Sequence, residues 1–223
     1  DASIALMYAY NGLKHDVCSL LVQEGVSLTM KYFTHLVWSK SLESVKAAMQ
    51  HLKDTNNWYQ KCDDASEALA FAYMLGKYES CDLLVKEGIS LQMKNLPGVL
   101  CSITWRFQIS LASGKRAIQH LKDTDKWDPK CDDASEALAN AYNASKYEVC
   151  DLLVQEGVSL RMRNLPRVAE GNHESVKKAI QHLKDTDNWD PKCDDASEAL
   201  ENAYSCQKYD VCNLLKQEGV SLK

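Results

Sequence analysis

Apolar positions along this chain recur in short bursts at helical spacing, and the bursts themselves are copied. In the stretch Asp195 to Gly219, Ala199, Leu200, Ala203 and Tyr204 fall on one face of a short helix. Ser205 to Lys208 is polar and predicts a turn. Tyr209, Val211, Cys212, Leu214 and Leu215 then predict a second helix facing inward, and Gly219 supplies a left-handed stop. At the front, Asp195-Ala-Ser-Glu198 has the shape of a capping box, with Asp195 accepting backbone N–H groups and Glu198 reaching back.

This unit is repeated. Cys131 to Leu160, CDDASEALANAYNASKYEVCDLLVQEGVSL, returns almost unchanged at Cys193 to Leu222 and more drifted at Cys62 to Leu91. A fourth copy opens the chain, with Asp1 in register with Asp64. The major units therefore span about 1–28, 62–91, 131–160 and 193–222. Diverged minor units lie between them. Their recognisable part is Glu174-Ser-Val-Lys-Lys-Ala-Ile-Gln-His-Leu183, where Val176, Ala179, Ile180 and Leu183 keep helical spacing. Val45, Ala48, Met49 and Leu52 hold those addresses in the first minor unit, and Gly114, Ala117, Ile118 and Leu121 in the second. The expectation is an all-α chain of about seven helix–turn–helix pairs forming one repeat domain over 1–223, because an array grows by stacking and needs no closed core.

Glu67-Ala-Leu-Ala-Phe-Ala-Tyr-Met-Leu-Gly-Lys-Tyr78, followed by Cys81-Asp-Leu-Leu-Val-Lys-Glu-Gly-Ile-Ser-Leu91, resembles an ankyrin repeat. The second-helix match holds in all four major units. The first-helix match is weaker: Glu67-Ala68, Glu136-Ala137 and Glu198-Ala199 stand where the family has Thr-Pro, and no copy has the motif's His. The turn glycine keeps its register only at Gly76 and, in a minor unit, at Gly171. The resemblance implies an ankyrin-like α-solenoid with irregular finger loops, in which Asp and Ser caps substitute for the missing Thr and His ties between neighbouring turns. Tetratricopeptide or HEAT-type arrays are the alternative architecture.

Differences between copies carry further expectations. Val22, Val85 and Val154 give way to Lys216 in the last copy, and Ala139 to Glu201, which reads as a polar terminal cap. In the first copy Ile4 replaces Glu and Met7 replaces a small residue, so an apolar leading unit is expected to pack against something or to be ordinary drift. The span from Gly88 to Gly114 is seven residues longer than Gly157 to Val176. The extra material lies in Gly98 to Ser113, a stretch that carries Trp105, Arg106 and Phe107. It predicts either a lengthened first helix that buries its apolar residues or a protruding element that anchors a partner.

The connectors into the major units read Lys53-Asp-Thr-Asn-Asn-Trp58, Lys122-Asp-Thr-Asp-Lys-Trp127 and Lys184-Asp-Thr-Asp-Asn-Trp189. In an ankyrin array this segment lies where finger-like turns project, and fingers with first helices form the concave binding face. The resemblance thus places Trp58, Trp127 and Trp189, with Asp125 and Asp187, toward a basic or mixed-charge peptide-like partner. The alternative is that each Trp packs over the next repeat and the Asp residues are solvated caps. A calcium loop beginning at Asp185 fails, because Asp190 and Ala196 stand where Gly and Glu are needed.

A net charge of −5 argues against a phosphate-binding, nucleic-acid surface. No apolar run is long enough to span a bilayer. The chain opens on Asp rather than Met, so a removed leader, and with it secretion, stays open. Then Asn143-Ala-Ser145 would be a glycosylation sequon. Of nine cysteines, Cys62, Cys131 and Cys193 precede first helices, and Cys18, Cys81, Cys150 and Cys212 lie within second helices. Cysteine at a fixed address predicts packing, and with no C-x-x-C pair a reduced, cytoplasmic protein without zinc is the default. His51, His120 and His182 recur at helix C-termini, where the dipole accounts for them. Catalytic groups are normally unique in a chain, and these are copied with their scaffold. No enzymatic activity, cofactor or metal is expected. The reading is a protein-interaction module or scaffold. Its alternative is a building block assembled through the apolar N-terminal repeat.

Overall fold

The computed structural model describes residues 2–38, 41–100 and 111–223. Among them the chain is entirely helical, with fourteen α-helices, two short 3-10 turns and no strand. The helices are α1 (Ala2–Asn11), α2 (His15–Gln23), α3 (Met30–Val37), α4 (Leu42–Asp54), α5 (Asp63–Met74), α6 (Tyr78–Lys86), α7 (Leu96–Leu100), α8 (Leu111–Asp123), α9 (Asp132–Asn143), α10 (Tyr147–Gln155), α11 (Leu165–Val168), α12 (His173–Asp185), α13 (Asp194–Ser205) and α14 (Tyr209–Gln217). Major units are α1/α2, α5/α6, α9/α10 and α13/α14. Minor units are α3/α4, α7/α8 and α11/α12.

Two compact units divide the chain: Asp1–Asn95 with Arg116–Lys126, and Leu96–Lys115 with Trp127–Lys223. Within the first, α1 packs on α2, α3 packs on α1 and α5, and α4 packs on α6. Its centre is Leu6, Phe33, Leu36, Leu52, Leu69 and Leu84, all fully buried. Within the second, α9 is sandwiched by α7, α10, α11 and α12, and α13 sits on α11 and α14. Leu138, Leu153, Leu165, Leu183, Leu200 and Leu215 are buried there at the corresponding addresses. Such tight interfaces need small residues, and the alanines supply them: Ala68, Ala137 and Ala199 are each fully buried.

The stops are the predicted ones. Gly25, Gly88, Gly157 and Gly219 each take φ between 78° and 88° just after a second helix, and Val26, Ile89, Val158 and Val220 donate back across the closing turn. The turn inside each major unit also demands left-handed backbone. Gly76 provides it in one copy, while Leu13, Ser145 and Gln207 adopt φ of 51° to 58° at the same address in the others. The turn keeps the same geometry with and without the glycine.

The starts are not as expected. Major first helices begin at Asp63, Asp132 and Asp194, with Cys62, Cys131 and Cys193 as extended N-cap residues that make no side-chain cap. Asp195 and Glu198 therefore lie inside the helix, and the capping box does not form. Adjacent aspartates favour the helix N-terminus through the dipole instead. Long-range bonds do the remaining work: Ser135 Oγ accepts from Arg161 N–H at 3.0 Å and Asn164 Nδ2 at 2.8 Å, and Ser197 Oγ accepts from Lys223 N–H at 3.1 Å. Asp63 pairs with Lys94, Asp132 with Arg161 and Arg163, and Asp194 with Lys223.

Three further expectations change. Val22, Val85 and Val154 are exposed, so Lys216 replaces a surface valine and says nothing about a terminus; only Ala139, fully buried, against exposed Glu201 keeps that contrast. Tyr209 is exposed rather than inward. Met7 is buried, while its neighbours Ile4 and Tyr8 are exposed. Cys18, Cys81, Cys150 and Cys212 are buried as packing residues, whereas Cys62, Cys131 and Cys193 are only half-buried. Among the described residues no helix is long and apolar enough to cross a membrane.

Candidate functional site: the repeated connectors

Each connector begins where a long minor-unit helix stops, and the three stops are built alike. Thr55, Thr124 and Thr186 donate through Oγ1 to the carbonyls of His51, His120 and His182, at 2.8 Å each. Asn56, Asp125 and Asp187 then take φ of 54°. Asn57, Lys126 and Asn188 close the turn by donating N–H to the carbonyls of Leu52, Leu121 and Leu183 at 2.8 Å. Asn and Asp are the side chains that best tolerate this backbone. Asp125 and Asp187 thus occupy the left-handed closing position, with exposed side chains.

The histidines are not cations resting on a helix dipole. Leu28, Leu91 and Leu160 donate their N–H to Nε2 of His51, His120 and His182 at 3.2, 3.1 and 3.2 Å. A ring that accepts at Nε2 is neutral, with its proton on Nδ1. Burial holds all three below the ordinary histidine range, against the opposite pull of Asp54, Asp123 and Asp185. Tyr10, Tyr73 and Tyr142 lie over them as tilted neighbours, 5.8, 6.1 and 6.5 Å between ring centres. Each imidazole joins the end of one major unit to the following minor helix.

Trp58, Trp127 and Trp189 are half-buried at the same address. Trp58 meets Phe33 edge-on at 5.4 Å and carries Lys53 Nζ 5.9 Å from its ring centre. Its Nε1 is buried with no hydrogen-bond partner among the described residues. Trp105, Arg106 and Phe107 lie outside the described residues. Beyond the tryptophans the loops fold on themselves: Asp128 and Asp190 each accept, at 2.9 Å, the N–H of Lys130 and Lys192. Lys53 pairs with Glu87 and Lys184 with Glu218, both at 2.5 Å. Among the described residues no three His, Cys, Asp or Glu groups converge to hold a metal ion. The connector geometry offers a stiff arm with an aromatic body and acidic flanks.

Sequence reasoning missed the His–Leu tie and the Lys–Glu pairs. The histidines and leucines were visible as repeats. Their partners stand 23, 29 and 22 residues apart, an unequal spacing that hides the pairing.

A groove of about 500 Å³ runs between α2 and α4, lined by Tyr10, Cys18, Val22, Gln50, His51 and Asp54. Desolvation pushes the Tyr10 hydroxyl up to about 12 and raises the Cys18 thiol, so both are neutral near pH 7. The Nε2 lone pair of His51 is already taken by Leu28 N–H. This trio is poorly placed for proton transfer and well placed for packing. In comparisons with known proteins, no family model and no curated protein matches the chain.

Proposed function

We propose that the chain is a diverged ankyrin-like α-solenoid that serves as a protein-interaction module, holding a basic or mixed-charge peptide segment along its connectors. The observation that carries this reading is the state of the three tryptophans. A core Trp is swallowed and a decorative one is loose, but Trp58, Trp127 and Trp189 are half-buried on loops fixed by their own hydrogen bonds. Pre-ordered aromatic anchors lose little entropy on binding. Exposed Asp125 and Asp187 give the flanks the charge that would recognise such a peptide.

The test compares the native chain with a Trp127→Leu, Trp189→Leu double variant on an array of basic, acidic and mixed-charge peptides. Selective retention of basic or mixed peptides, lost in the variant at unchanged helicity, supports the reading. Equal retention, or unfolding of the variant, removes it. A second reading, a building block assembled through the N-terminal repeat, is favoured by one observation: Ile4, Tyr8, Val17 and Leu20 are all exposed there.

A further inference from the structure

The four major units are near-copies, so each address can be compared in four surroundings. At one face the first copy departs from the rest. Ala5 is exposed, whereas Ala68, Ala137 and Ala199 are fully buried. Val17 is 43% exposed, against 4% for Val149 and 0% for Val211. Leu20 is 57% exposed, against 8% for Leu152 and 9% for Leu214. Leu21 is half-exposed, where Leu84, Leu153 and Leu215 are fully buried. The face is apolar in sequence because it keeps the pattern of a covered surface.

What covers it in later copies is visible. In the first compact unit α3 packs on α5 and α4 on α6; in the second α11 packs on α13 and α12 on α14. The cover is each time a minor unit: a short first helix packed on the first major helix and a long amphipathic helix packed on the second. A polar contact accompanies it. Lys77 Nζ donates to the carbonyl of Val37, at the end of α3, at 2.8 Å. Lys14 stands at the address of Lys77 and is exposed.

We propose that the face made by Ala5, Val17, Leu20 and Leu21 is a docking site for a helix pair of the minor-unit type. This deepens the second reading above and is independent of the connectors. The occupant brings a short helix whose last carbonyl accepts from Lys14. Its second helix carries apolar residues spaced as Val176, Ala179, Ile180 and Leu183. A second copy of the chain is a poor occupant, because its minor helices are already committed: α11 to α13 and α12 to α14. Nor does the far end match, since exposed Glu201 stands there at the address of fully buried Ala139.

The probe is the full chain with a duplicate of residues 161–194 joined ahead of Asp1, which keeps the register of Asp194 followed by Asp195. The expected result is a gain in helicity for the added segment. Thermal midpoint should rise by about 4 °C or more, with slower amide exchange through α1 and α2. Lys14→Met should cut that rise. Val17→Asp with Leu20→Asp should abolish it while leaving the unextended chain's midpoint unchanged, because both positions are exposed there. An added segment that stays unfolded, or an equal rise in the double-Asp variant, overturns the proposal. Concentration-dependent sedimentation of the unextended chain, lost in the double-Asp variant, also overturns it. In that case the face belongs to a second copy, and the building-block reading survives without this occupant.

Discussion

Leu100 occupies the space that Gly114 leaves open: a Cβ built on Gly114 would lie 2.9 Å from Leu100 Cδ2. At the same two addresses in the next minor unit stand Ala169 and Val176, both fully buried. A large residue facing a small one has been exchanged for a small one facing a large one. Cores tolerate swaps that conserve total volume and resist those that do not.

Gly114→Val alone should therefore cost about 1–3 kcal/mol by overpacking, and Leu100→Ala alone about 2–5 kcal/mol through the cavity it leaves. The double variant should recover a large part of the summed loss. Urea unfolding of the four proteins gives the coupling directly; strictly additive losses would show that the two sites do not share one space.

The His–Leu ties make stability depend on acid. The folded-state values of His51, His120 and His182 lie below 6.5, so below pH 6.5 the unfolded chain takes up protons before the folded chain does. Their contribution is complete above pH 6.5 and is lost as pH falls through that value and below it. Protonation also converts Nε2 from acceptor to donor and breaks the bond to Leu91 N–H. The urea midpoint should drop between pH 7.5 and 5.5, and His120→Asn should flatten that slope. At pH 7.5, His120→Ala should cost about 1–3 kcal/mol, since it strands the Leu91 N–H.

Leu13 sits at φ 51° where Gly76 sits at 66°. A leucine held there is costly, whereas glycine reaches it freely. Leu13→Gly is expected to raise stability by about 0.5–1 kcal/mol, while Leu13→Val should lower it. Thermal melts of the two variants decide the matter, and a destabilised Leu13→Gly would mean that the leucine side chain earns more by packing than its backbone loses.

Thiol labelling should resolve the cysteines into classes. Cys206 is exposed and should react first, and half-buried Cys62, Cys131 and Cys193 should follow. Burial pushes Cys81 up to about 12 and raises Cys18 and Cys212, so these should label only on unfolding. Mass spectrometry of a timed alkylation series reads the order; early labelling of Cys81 would contradict the packing described for it.

What the sequence made legible follows a physical boundary. Helix pairs, their turns and their glycine stops depend on spacing within about ten residues, and they were readable at Gly88 or Gly219 without coordinates. The start of α13 was misread because Asp195 and Glu198 have the right letters for a capping box, yet Cys193 takes the N-cap and Ser197 is bonded to Lys223. Val154 looked like core because valine usually is, and only the packed structure shows it exposed. At the candidate site, recurrence marked Trp58, Trp127 and Trp189 but not their half-burial. It marked His120 but not Leu91, because that bond spans 29 residues.

The long-range closure of the first helices has a consequence for where one module ends. The copied block stops at Leu160, but Asp132 and Ser135 inside it are satisfied by Arg161, Arg163 and Asn164 beyond it. The smallest segment that keeps the polar partners of its own first turn is therefore closer to 131–164 than to the visible copy. Anyone excising, shuffling or grafting a unit at the sequence boundary would leave its opening turn unsealed. A cut four residues later would carry the seal with it.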